Sequence, residues 1–199
     1  MKNPLDSIAG TVVSGLVVTL LLYLLFGSVL PSGGGAMMVM PALARWLHFV
    51  FGIAWIGLLF YFNLVQMPAL KAAMADGTAD GISRHVAPRA LVVFRWAAVV
   101  TWLTGAALLG ANLPAAFTLQ APYAPIGIGA WLGTIMLFNV WGLIWPNQKK
   151  ILGLRPASDS EKATARRVAM LASRTNMALA LPLLFVIAGG LSHQAVFGL

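Results

Sequence analysis

The sequence predicts an all-α protein, a polytopic bundle of about five transmembrane helices, and three observations lead there. Hydrophobic residues make up 60% of the 199 and charged residues only 9%, where a soluble domain would carry roughly 25%. Apolar runs recur at about 8–30, 43–67, 90–111, 125–146 and 171–192, each near the ~20 residues that cross a bilayer core as helix. Most basic residues gather at the ends of these runs, as membrane orientation requires. The whole chain, 1–199, reads as one transmembrane domain with a polar loop at 147–170.

The first run follows Lys2 and precedes small residues near Ala36, which imitates a signal peptide. Its apolar region is too long for one, so a retained helix is expected. Gly33, Gly34 and Gly35 then form a flexible connection, without the lysine and helix context of a phosphate loop. In the second run His48, Gly52, Trp55, Leu59, Asn63 and Gln66 follow steps of three or four and share one helical stripe. The third run carries Arg95 about five residues from its end, where snorkelling to the interface is the default. The alternative is that Arg95 faces an internal anion or carbonyl near Trp96 and Thr101.

The fourth run holds Asn139 and closes on Trp145, Pro146, Lys149 and Lys150, which read as an aromatic belt, a helix stop and basic anchors. In the loop that follows, Ser158 and Glu161 have the S-x-x-E spacing of a capping box, and ATARRVAMLASR continues toward the last run as helix. Lys71, Arg84 and Arg89 lie in one connection, and Lys149, Lys150, Arg155, Lys162, Arg166, Arg167 and Arg174 lie around another. The connection between the third and fourth runs has no charge. The positive-inside rule therefore puts the N-terminus inside and the C-terminus outside.

Composition also bounds the chemistry. There is no cysteine, which excludes disulfides, iron–sulfur clusters and a covalently attached c-type haem. The net charge of +8 is absorbed by the ends of the spans, so no nucleic-acid partner is expected and the lipid bilayer is. All five acids, Asp6, Asp76, Asp80, Asp159 and Glu161, lie outside the apolar runs. That argues against proton pumping, cation transport and paired-carboxylate catalysis. A serine hydrolase finds no histidine–acid partner.

Of the three histidines, His48 and His193 lie at similar depth on different spans, the arrangement that can hold a b-type haem. His48 would be the iron ligand, with His193 or another group opposite. Gly52 would leave room for a flat ring, Trp55 would pack on it, and Arg45 would meet propionates. The bland alternative is a buried histidine hydrogen-bonded to a neighbouring helix. Asn139, Arg174 and Asn176 read first as groups that hydrogen-bond between helices.

Four blocks, RWLHFVFGIAWIGLLFYF (45–62), FRWAAVVTWLTG (94–105), GAWLGTIMLFNVWGLIWPNQKK (129–150) and NMALALPLLF (176–185), occur in an order that resembles a known family. It is the membrane domain of bacterial cytochrome-c-linked urate oxidases, also called urate hydroxylases. The resemblance implies a haem-bearing redox module in the bacterial inner membrane, here a short form without the cytochrome c domain. It matches the family's histidine to His48, its basic–Trp pair to Arg95 and Trp96, and its N–PNQ pattern to Asn139, Pro146, Asn147 and Gln148. Two family histidines would fall at Val92 and near Thr175, where this chain has none.

Two functions follow as expectations. In the first, haem b on His48 passes electrons to a separate cytochrome c or a quinone. Arg95, Asn139, Gln148 and Asn176 then bind an anionic or carbonyl-bearing substrate, which would make the chain a urate-oxidase-like oxidoreductase. In the second, the chain is a non-catalytic accessory subunit of a larger membrane complex, with Gly129-x-x-x-Gly133 serving helix contacts.

Overall fold

The computed structural model describes residues 3–27 and 39–189, so His193 lies outside the described residues. Every described element is helical, and the chain forms two compact units, Met1–Met40 and Pro41–Leu199. In the first unit α1 (Ile8–Gly27) is an apolar helix opened by Ser7, whose Oγ accepts the Gly10 N–H at 3.0 Å. That side chain satisfies one of the amides a helix N-terminus leaves orphaned.

The second unit contains α2 (Val39–Tyr61) from Pro41 onward, α3 (Met67–Ala75), α4 (Ala87–Leu109), α5 (Leu113–Phe117), α6 (Ala124–Phe138), α7 (Trp145–Ile151) and α8 (Asp159–Gly189). Three wide π-turns join several of these: Phe62–Gln66 links α2 to α3, Ile82–Val86 leads into α4, and Asn139–Ile144 links α6 to α7. Among the described residues, four continuous helical runs are consequently long and apolar enough to cross a membrane: Met40–Ala75, Ile82–Phe117, Ala124–Ile151 and Asp159–Ile187. In α1 the apolar stretch Ile8–Leu22 is shorter than that criterion.

The expected helix stop at Pro146 is overturned, because the helix runs on to Ile151. A proline lacks the N–H that its i−4 carbonyl needs, and its ring crowds that carbonyl. Pro68, Pro88 and Pro146 each follow a π-turn by two residues, and their i−4 carbonyls, on Leu64, Arg84 and Gly142, all fall inside it. The wider turn, closed by bonds such as Trp145 N–H to the Val140 carbonyl, absorbs the mismatch and the helix continues. The helices of the second, third and fifth predicted runs also extend beyond their expected bounds, to Ala75, from Ile82 and from Asp159.

The second unit is apolar on its outside as well as in its core. Phe49, Ile53, Val93, Trp96, Leu103, Ile135, Phe138 and Phe185 face outward, while Gln66, Arg95, Thr101, Asn139, Ser173 and Asn176 are buried. An apolar exterior with its few membrane-depth polar groups turned inward is the arrangement that lipid demands. Inside, Trp55, Leu59, Phe62, Phe94, Met136, Val140, Ala180 and Leu183 form one core joining α2, α4, α6 and α8. The sequence-predicted stripe from His48 to Gln66 is the inward face of α2 and its π-turn, each member buried or half-buried.

The Gly129 and Gly133 pair lets α6 approach α8 within the chain. A Cβ on Gly129 would stand 2.8 Å from Ile187 Cγ1, and one on Gly133 would stand 3.6 Å from Leu183 Cδ1. At the head of α8 the capping box is formed: Ser158 N–H donates to Glu161 Oε2 at 2.8 Å, and Glu161 N–H to Ser158 Oγ at 3.2 Å. Ser158's backbone bond, then its hydroxyl, with Lys150 and Arg155 adding attraction, hold the Glu161 carboxyl below its ordinary value. A depressed carboxylate stabilises the turn above its unfolded pKa and loses that contribution as pH falls through the folded value. Amide-exchange protection at residues 159–162, relative to the intrinsic rate at each pH, is expected to fall on that acid side, and Glu161→Gln should flatten the pH dependence.

Candidate functional site

His48 projects from α2 toward α4. Its Nδ1 lies 2.9 Å from the Thr101 carbonyl and 3.3 Å from Thr104 Oγ1. A carbonyl can only accept, so Nδ1 carries a proton, and in the neutral ring the lone pair is on Nε2. The Thr104 hydroxyl donates to the Val100 carbonyl at 2.6 Å, which leaves its oxygen available to His48. Gly105 makes the fit possible, since a Cβ there would stand 3.0 Å from His48 Cε1 and 3.4 Å from Nδ1. Gly105→Val is therefore expected to push the ring out of this register and cost about 1–3 kcal/mol of stability. Nitrogen NMR of the imidazole, read beside a thermal melt, checks both effects.

The ring lies in the wall of a cavity of about 760 Å³ between α2, α4, α5, α6 and α8. Arg45, Gly52, Trp55, Thr101, Gly129 and Gly133 share that wall. The volume falls in the range of roughly 300–1,000 Å³ typical of cofactor and small-molecule sites. Gly52 opens it on the α2 side: a Cβ there would reach only Thr101 Cγ2, at 3.7 Å. Trp55 is buried, with its Nε1 unpartnered, and Arg45 is exposed. The structure thus brings His48, Arg45 and Trp55 to one cavity.

A second polar region lies further along the bundle. Asn139 Nδ2 donates to Asn176 Oδ1 at 2.8 Å, and Asn176 Nδ2 donates to the Met136 carbonyl at 3.0 Å. One turn away on α8, Ser173 Oγ accepts from Asn63 Nδ2 at 2.9 Å. These bonds tie α8 to both the Phe62–Gln66 and the Asn139–Ile144 turns. Asn63 Oδ1 and Gln66 Oε1 remain buried without a partner.

Arg95 does not snorkel. It is 7% exposed, and its Cζ lies 3.3 Å from the Trp145 ring centroid and 5.7 Å from that of Trp141. Helix spacing puts Trp141 and Trp145 one turn apart, so they form two steps of one stacking face. Arg95 Nε and Nη1 and Trp141 Nε1 are buried without hydrogen-bond partners. Trp145 is thus half-buried under a guanidinium rather than acting only as a belt residue. Trp96 is exposed and sits edge-on to Trp141 at 5.5 Å.

Of the four residues expected to meet a substrate, Asn139 and Asn176 are bonded to each other, Arg95 stacks on the tryptophans, and Gln148 is half-buried on α7. Val92 and Thr175, the positions matched to family histidines, are both exposed. Sequence reasoning missed Thr101, Thr104 and Gly105 as the seat of His48, and Ser173 as the partner of Asn63. Each acts across helices, and only the T-x-x-T-G spacing on α4 hinted at a shared face.

No curated protein and no solved structure matches the chain. Of the residues above, Asn139, Gln148 and Asn176 fall within the stretch that a family model does match, whereas His48 and Arg95 precede it. Residues 111–195, less than half of the chain, match the model described as urate oxidase N-terminal, and that stretch is similar to this family.

Proposed function

We propose that this protein is a haem b redox module of the bacterial cytoplasmic membrane, passing electrons to a separate cytochrome c or a quinone. One observation carries the reading: an imidazole with its Nδ1–H held by the Thr101 carbonyl, in the wall of a largely apolar, cofactor-sized cavity. A metal-ligating histidine characteristically donates its other nitrogen in this way, which fixes the ring and raises its basicity. The residues present therefore fit a haem. His48 Nε2 would be the ligand, Trp55 would pack against the macrocycle, and Arg45 would meet its carboxylates. A haem bound there supplies one-electron transfer.

His193 is the second ligand this reading favours. Arg95, Asn139, Gln148 and Asn176 carry less of it, because two of those amides already bond each other. The test is the absorption spectrum of the purified protein. A Soret band that shifts on reduction, at about one haem per chain, supports the redox module. A colourless, stably folded protein that co-purifies with other membrane subunits would sink it in favour of the accessory role.

A further inference from the structure

We propose that the groove between α4 and α6 seats an acyl chain of an anionic phospholipid whose phosphate rests on Arg95. Arg95 is ionised at any working pH, yet it is buried beside two donors of its own and one of Trp141 that have no acceptor. No acid lies in the apolar runs, and among the described residues Asp80 and Asp159 pair with Arg84 and Lys162. Stacking on Trp141 and Trp145 offsets part of the desolvation but leaves the N–H groups unanswered. Lys149 adds a second cation, its Nζ 5.7 Å from the Trp145 ring centroid. The missing partner is an anion.

The groove says what the anion is attached to. Val99, Trp102, Thr134, Leu137, Phe138 and Trp141 line an apolar surface depression of about 350 Å³. Arg95, Val99 and Trp102 follow one stripe of α4, while Trp145, Trp141, Phe138 and Thr134 follow one stripe from α7 back along α6. Trp141 belongs to both the cationic cluster and the groove. From Trp145 to Thr134 the helix rises ~16 Å, enough for much of an acyl chain. At the far end Trp102 Nε1 donates to Thr134 Oγ1 at 2.8 Å, so that end presents no free polar group. An open apolar channel with cations at one end fits an anionic amphiphile, and in a helix bundle with an apolar exterior that amphiphile is a phospholipid.

This proposal is independent of haem at His48. The test reconstitutes the full chain in nanodiscs of mixed phosphatidylglycerol and phosphatidylcholine. Retained lipid is read by native mass spectrometry, and thermal melts are recorded in detergent with each lipid or with inorganic phosphate. The expected result is one tightly held phosphatidylglycerol per chain and a melting shift that phosphatidylcholine does not reproduce. Arg95→Gln should weaken retention about fivefold, the effect of one basic residue on an anionic lipid. If that variant fails to fold, Val99→Phe fills the groove from a half-buried wall position and should abolish retention with the fold intact. Equal retention of both lipids, an equal melting shift from inorganic phosphate alone, or unchanged retention in folded Val99→Phe would each overturn the proposal.

Discussion

Replacing His48 with alanine is expected to abolish the reduction-sensitive Soret band while leaving the helical content of the protein intact. The two outcomes separate because His48 is tied to the bundle only through the Thr101 carbonyl and the Thr104 hydroxyl. Once the imidazole is gone, the Thr104 hydroxyl still reaches the Val100 carbonyl at 2.6 Å and the Thr101 carbonyl at 3.0 Å. No buried group is orphaned, and the added space merges with the existing cavity. Free imidazole should restore the band near its original wavelength, whereas His48→Cys, which offers a thiolate, should give one at a different wavelength, since ligand identity tunes the haem. An unchanged band in His48→Ala would show that the iron is held elsewhere. The proposed use of the cavity would then fail, with the bundle itself unaffected.

The second large effect is on stability. Asn176→Leu keeps the branched side-chain shape but removes the acceptor of Asn139 Nδ2 and the donor to the Met136 carbonyl, at a position with no solvent exposure. Leaving such buried groups without partners costs about 1–3 kcal/mol. Membrane proteins lie toward the low end, because the unfolded chain in lipid finds other partners. The double variant Asn139→Leu/Asn176→Leu should cost less than the two single changes added together, since it deletes both ends of one hydrogen bond. Thermal or denaturant unfolding in a fixed detergent measures all three. Strict additivity would mean that the two amides do not act as a pair. A substrate-binding role without a structural one would instead show as lost activity at unchanged stability.

Much of this molecule is legible one helix at a time. Hydropathy and charge placement mark the apolar helices because each must satisfy its backbone internally and end where lipid ends. The stripe from His48 to Gln66 is readable because helical period alone decides which residues share a face. The capping box is local, and four residues suffice to see it. Pro146 misled for the same reason: taken by itself a proline ends a helix, and the wide turn that rescues it has no sequence signature as plain as the proline.

Sequence by itself determined an all-helical protein with lipid-facing surfaces, without cysteine chemistry or buried acids, and with His48, Arg45 and Trp55 on neighbouring turns. Tertiary structure alone decided what those residues face. Thr101, Thr104 and Gly105 seat His48 from 53 or more residues away, and Asn176 takes up Asn139 from 37 away. Arg95 could have snorkelled on an isolated helix. It turns inward, where the Asn139–Ile144 turn delivers Trp145 with its ring centroid 3.3 Å from the guanidinium carbon. Contacts of this kind depend on where two helices cross, and crossing is set by the packing of whole faces, which a single helix's sequence does not contain.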